Sequence, residues 1–321
     1  MRQTTPLAAA AVAVFALVAA CGSRQPASRQ HEEPAGSADS SALPVDRYEL
    51  TRTDNETIDR ARWALARSCM NDLGFPALRT LSLDPPPAWP MPPQQAGVLV
   101  AVSFTADTDR YGVSDPKQAA VHGYQGAYAE WKANRKTADR KWTLPQYVAL
   151  TGEFEYQRNK NTVHGHTVPA HGCLGQADRT LYGFRPQDRR DPVLDVKGEG
   201  ITEGEKTNEW KAADRAWSAC MKARGYHYAK PSDARNDPRR SEKEFAQNPH
   251  RDPHVPSGLE KATAVADAVC KQKTHYVPTV RAIDIRVQKH LIQQNRTALE
   301  EAYRQSKAAA DKARAILRNL A

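Results

Sequence analysis

The sequence predicts a mainly α-helical, disulfide-stapled body built from two divergent C-M-x-x-x-G repeats, with a long C-terminal helix. Three observations point there. The segment Cys69-Met70-Asn71-Asp72-Leu73-Gly74-Phe75 recurs in outline as Cys220-Met221-Lys222-Ala223-Arg224-Gly225-Tyr226. Beyond Cys21 the cysteines form an even set, Cys69, Cys173, Cys220 and Cys270. After Pro278, neither glycine nor proline interrupts the sequence.

In chain order, the first element is an apolar run from Leu7 to Ala20 behind Met1-Arg2. It is shorter than the roughly 20 residues that span a bilayer. It ends in small residues before a cysteine, Val18-Ala19-Ala20-Cys21, which is the pattern of a lipobox. Residues 1–20 therefore read as a signal peptide and Cys21 as the lipidated residue, its sulfur carrying diacylglycerol. Arg24 to Ala42 holds Ser, Ala, Pro, Gln and Glu with almost no large apolar residue, too little to bury a core. Residues 21–42 thus read as a flexible tether. Two helical units are expected beyond it: 43–185 with long loops, and 186–321 ending in the long helix.

Within the repeats, Ile58, Ala61, Leu65, Cys69 and Leu73 recur at helical spacing, as do Trp210, Ala213, Trp217, Cys220 and Met221. Gly74 and Gly225 can end these helices in the left-handed conformation, with Phe75 and Tyr226 folding back on the last turn. Four cysteines allow three connectivities. Pairing within each repeat gives Cys69–Cys173 and Cys220–Cys270, with cross-repeat pairing left open. Ser257-Gly258-Leu259-Glu260 reads as a capping box ahead of the Cys270 helix. From Pro278 a helix of roughly forty residues, about 60 Å, is expected. Val280, Ile283, Val287 and Leu291 would pack its first half on the body. The second half, rich in Ala, Lys, Arg and Gln, would either pack with a frayed end or project towards a partner.

Between these elements the signals weaken. Asp84 to Pro93 is polyproline-like and reads as a stiff surface loop. Val98 to Phe104 reads as a short strand or apolar loop. Ser114 is expected to cap a helix through Val121, and Tyr124, Tyr128 and Trp131 share a helical face. Residues 186–206 and 231–256, with their Asp, Arg, Pro and Gly, read as loops.

Charge and motifs bound the function. Lys and Arg number 46 against 37 Asp and Glu, a net +9, or +8 without Arg2. Spread over an exported surface, this favours lipid headgroups or wall polyanions as neighbours, and no nucleic acid partner is expected. The chain has no G-x-S-x-G elbow, P-loop, H-E-x-x-H or dinucleotide fingerprint. Glu153 and Glu155, at i and i+2, do not form an evident acid–base pair. The remaining candidate is His164-Gly165-His166 with His171, whose imidazoles could ligate zinc or copper. That is the alternative function, a metal-binding protein or metal-dependent enzyme. No catalytic residue is singled out, and no cofactor is expected.

The run Leu43-Pro44-Val45-Asp46-Arg47-Tyr48, the two C-M-x-x-x-G-aromatic motifs, Arg110-Tyr111-Gly112-Val113-Ser114-Asp115, Gly172-Cys173 and Ala264 to Cys270 resemble a family of uncharacterised secreted proteins and lipoproteins from Streptomyces and related actinobacteria. The resemblance implies a Gram-positive envelope and a mainly helical fold. It brings no activity, substrate or catalytic residue. The expected function is that of a lipid-anchored protein on the extracytoplasmic face of the cell membrane. There it would act as an envelope-associated binding or accessory protein, with the C-terminal helix as the surface for an envelope protein partner.

Overall fold

The computed structural model describes residues 42–90, 110–126, 140–154, 161–247 and 255–319. Cys21 and the tether up to residue 41, Met91 to Pro93, Val98 to Phe104, Tyr128, Trp131 and Glu155 lie outside the described residues. The described body is mainly helical.

Helix α1 (Arg52–Asp72) opens at Thr51, whose hydroxyl accepts from the Asp54 N–H. It ends as its sequence requires. Gly74 takes φ 85°, and the Phe75 N–H turns back to the Met70 carbonyl at 3.0 Å. Gly225 and Tyr226 end α6 (Asn208–Lys222) in the same way, with φ 85° and a 3.0 Å bond to the Met221 carbonyl. Both half-cystines sit one turn before these ends. Cys69 is joined to Cys173 on α4 (Gly172–Tyr182), and Cys220 to Cys270 on α9 (Gly258–Lys273).

The first core gathers Trp63, Met70, Phe75, Leu78, Leu150 and Leu174 around α1, α3 (Leu144–Thr151) and α4. Trp142 stacks on Trp63 at 5.6 Å. A β-carbon at Gly172 would overlap the Leu150 carbonyl oxygen, so only glycine lets α4 start against the end of α3. Two short antiparallel strands, β1 (Thr162–Val163) and β2 (His166–Thr167), form a hairpin beside this core.

The second core packs α6 and α9 with α5 (Pro192–Lys206) and α10 (Tyr276–Gln294), burying Trp210, Trp217, Met221, Tyr276, Val280 and Ile283. Helix α5 occupies a stretch that read as loop. Asp191 caps it, Pro192 sits in its first turn, and Val193 and Val196 are its buried residues with two glycines. Those glycines misled the reading because they serve packing here. A β-carbon at Gly204 would meet the Trp210 ring at 2.8 Å, and one at Gly200 would meet Asp284 at 2.5 Å. Helices α7 (Pro231–Arg235) and α8 (Pro238–Gln247) likewise replace an expected loop, each beginning on a proline. Helix α2 (Pro116–His122) packs on α9 and is capped by Asp115, one residue beyond the expected Ser114. The Asp115 carboxylate reaches the Lys117 N–H at 2.8 Å, and Pro116 needs no donor partner.

The chain ends in a long helix, but the continuous stretch of roughly forty residues expected from Pro278 is divided in two. It breaks at Asn295, φ −105° and ψ 13°, whose side-chain amide donates to the Leu291 carbonyl at 2.9 Å. Beyond it α11 (Arg296–Arg318) does not project. It crosses to α1 and α4, where Ala309, Ala310 and Ala313 pack with Ile58, Ala61 and Leu181. Small alanines let the helices approach closely.

A charged clasp holds this return. The Asp54 carboxylate accepts from Lys307 at 3.0 Å and Arg314 at 2.8 Å. The Lys307 hydrogen bond, with the charges of Lys307 and Arg314, holds the Asp54 carboxyl below its ordinary range. Its stabilisation is therefore present above the unfolded carboxyl pKa of about 3.9 and lost as pH falls through the folded value. The amide protection factors of residues 307–318 are expected to fall below about pH 4. In Asp54→Asn they should be about fivefold lower already at pH 7, from a cost of about 1 kcal/mol for these partly exposed pairs.

Candidate functional site

The run Arg110 to Asp115 ties three helices together, and each residue in it has a task. Arg110 donates to the two oxygens of Asp284 on α10 at 2.5 and 2.9 Å, and to the Lys197 carbonyl of α5 at 2.8 Å. The Tyr111 hydroxyl donates to the same carboxylate at 2.5 Å. Asp284 is fully buried and also accepts from Gln288 at 2.9 Å, so its charge is matched and its lone pairs are used. Gly112 takes φ 74°, and a β-carbon there would stand 2.8 Å from the Lys271 Nζ. The Val113 carbonyl accepts from that Nζ at 3.0 Å, the Ser114 carbonyl accepts from Gln272 at 3.0 Å, and Asp115 caps α2.

Lys271 and Asp267 lie one turn apart on α9, at 1% and 0% exposure, with Nζ to Oδ2 at 3.0 Å. The other Asp267 oxygen accepts from the Trp217 indole N–H at 2.9 Å. Burial pushes the Asp267 carboxyl up and the Lys271 ammonium down, while their mutual attraction opposes both shifts. Trp217 precedes Cys220 by one turn, and Asp267 likewise precedes Cys270. The disulfide and the indole–carboxylate bond are thus successive cross-links between α6 and α9. One turn earlier on α6, Asp214 accepts from the Tyr276 hydroxyl at 2.8 Å.

These groups border a cleft of about 240 Å³. It is lined by Lys271, Asp267 and Tyr124, by the apolar Ile201, Trp210 and Tyr276, and by Lys230, Ser232 and Arg235 of the α7 segment. Lys230 reaches Glu205 at 3.3 Å. Tyr124 stacks under the Arg240 guanidinium, 5.1 Å from its ring centroid, and gives its N–H to Glu260 at 3.0 Å. Its buried hydroxyl lies against the Asp267 carboxylate, outside ordinary hydrogen-bond geometry. Burial, with the charge of Asp267, pushes that phenol far up.

The histidine cluster is not brought together. His164, φ 49°, turns the β1–β2 hairpin, its Nδ1 3.2 Å from the Leu73 carbonyl and its ring 4.5 Å from Phe75. His166 lies exposed on β2, and His171, φ 61°, precedes α4. Among the described residues no group of three His, Cys, Asp or Glu side chains is placed to hold a metal ion. His164 instead covers the glycine end of α1, where a β-carbon on Gly74 would meet its Nδ1 at 2.9 Å.

No family model, curated protein or solved structure matches the chain. Among the described residues no helix is long and apolar enough to cross a membrane. The two disulfides accord with an extracytoplasmic compartment, since such bonds persist where thiols are not kept reduced.

Proposed function

We propose that this chain is a lipid-anchored protein of the extracytoplasmic membrane face that acts by binding, as an accessory component of a Gram-positive envelope. The observation that carries this is the pairing of Cys69 with Cys173 and Cys220 with Cys270. It leaves Cys21, behind its apolar run, as the cysteine available for lipid. Diacylglycerol on that sulfur supplies two acyl chains, the number that makes membrane attachment stable. A binding role fits the cleft, whose Lys271 and Asp267 neutralise each other instead of standing as a nucleophile beside a base. The outward residues of α11, including Glu300, Arg304 and Lys312, are the surface offered to an envelope protein.

The test is anchorage. In a Gram-positive host, the wild-type chain should incorporate labelled palmitate and sediment with membranes, and Cys21→Ala should be unlabelled and appear in the medium. An unlabelled wild type, or a Cys21→Ala chain that stays on washed membranes, would reject the lipoprotein reading.

A further inference from the structure

We infer that the outward face of α6, extended by the end of α9, rests on an anionic lipid bilayer. This rests on the reading of the chain as a protein of the membrane face and names the surface that meets the lipid.

The first argument is charge without neutralisation. Lys211, Arg215, Ala219 and Lys222 follow one another at spacings of four and three, so they share one face of α6, and all are exposed. Arg224 stands exposed just past the helix end. Among the described residues no hydrogen bond or ion pair reaches the side chains of these four cations. The carboxylates of α6 are already taken: Glu209 accepts from Arg286 of α10 at 3.1 Å, and Asp214 from Tyr276 at 2.8 Å. On α11, by contrast, Arg296, Arg304 and Arg314 each find a carboxylate about one turn away. The α6 face is the one whose positive charge is left for something outside the chain.

The second argument is position. Cations near a helix C-terminus answer the macrodipole, and that accounts for Lys222. It does not account for Lys211, next to the first turn where the dipole favours Glu209, or for Arg215 at mid-helix. The Cys220–Cys270 bridge, 5.6 Å from Cα to Cα, and the Trp217–Asp267 bond one turn before it set α6 and α9 side by side in the same direction. The two helices therefore end together, and exposed Lys273 closes α9 as Lys222 closes α6. Between the cations of α6 lie exposed Ala212, Ala216, Ala219 and Ala223. Their short side chains leave the long Lys and Arg side chains free to reach a flat surface together.

Magnitude and supply favour lipid. An anionic bilayer offers each cation close to it about a fivefold gain in partition, and five together about three powers of ten. The gain fades over a Debye length of about 10 Å at 0.1 M salt, so only a face lying against the headgroups collects it. Acyl chains on Cys21 would hold the body beside those headgroups at high local concentration, so the bilayer is the polyanion this face meets first.

The experiment uses the Cys21→Ala chain, which has no acyl chains of its own. It is mixed with vesicles of equal parts phosphatidylcholine and phosphatidylglycerol and floated on a density gradient. The chain should rise with these vesicles, stay down with phosphatidylcholine alone, and be released at about 1 M salt, where the Debye length is about 3 Å. Adding Lys211→Gln/Arg215→Gln/Lys222→Gln should weaken partition about a hundredfold. Glutamine keeps the helix propensity of the residues it replaces, and the unfolding midpoint verifies that each variant is folded. Arg60→Gln/Lys289→Gln/Lys312→Gln removes the same charge from exposed positions on α1, α10 and α11, and should cost less than about fivefold. No flotation of the parent chain, flotation that ignores phosphatidylglycerol, or equal loss in the two triple variants overturns the inference. So does binding to poly(glycerol phosphate) in place of vesicles, which would assign the face to a wall polymer. Palmitate labelling of the wild-type chain is read separately, so the face and the anchor fail independently.

Discussion

Lys271→Met is expected to lower the unfolding free energy by about 3–5 kcal/mol, the cost of leaving one buried charge without its partner. Asp267 would remain fully buried, still accepting from the Trp217 indole. The deficit should depend on pH. Burial already raises the folded Asp267 pKa, and removing the ammonium removes the opposing attraction. A raised folded pKa gives stability that is complete below the unfolded value of about 3.9 and lost as pH rises through the folded one. The variant should therefore recover part of its loss between pH 7 and pH 5. The double variant Asp267→Asn/Lys271→Met should recover more at every pH, because Asn still accepts from Trp217 and no charge is left inside. Urea unfolding of the two single variants and the double completes the cycle. Single costs that simply add would mean that the two charges are not coupled.

That pair was present in the sequence without being readable as a pair. Asp267 and Lys271 stand at i and i+4 on an amphipathic helix, where a charged residue reads most simply as the solvated face. Nothing local reveals that α2 and the Arg110–Asp115 run cover that face. Asp284, between Ile283 and Ile285, hid its role in the same way, since its partners lie 173 and 174 residues upstream. The helix ends, by contrast, were plain. A glycine followed by an aromatic closes a helix through bonds made within six residues, so Gly74 and Gly225 needed no tertiary information. The cysteine pairing followed from those ends and the chain order. The loops expected at 186–206 and 231–256 gave way to helices over 192–206, 231–235 and 238–247 for one reason: Gly and Pro signal a break unless proline opens a helix or glycine admits a neighbour. Gly200 and Gly204 admit Asp284 and Trp210. The Asn295 break lay beyond a periodicity reading, because the apolar stripe carries on through it on both sides.

The disulfides should carry comparable weight, unequally divided. Cys69–Cys173 closes a separation of 104 residues and Cys220–Cys270 one of 50. Chain entropy alone assigns them about 4.7 and about 4 kcal/mol. For a body of this size each kcal/mol moves the midpoint by about 2–4 °C, so Cys69→Ala/Cys173→Ala should melt about 10–20 °C lower. Cys220→Ala/Cys270→Ala should lose slightly less stability, and the loss should be local. Its bridge lies one turn from the Trp217–Asp267 bond, so releasing it frees α6 and α9 to separate at the cleft. Scanning calorimetry of both double variants, beside amide protection measured along α6 and α9, separates the two effects. Protection of these helices should fall most in the second variant and less in the first, whose bridge lies in the other core, with Cys173 among its buried residues and Cys69 packed against them. Equal loss of protection in both would mean that α6 and α9 respond to global stability alone, and not to their local clamp.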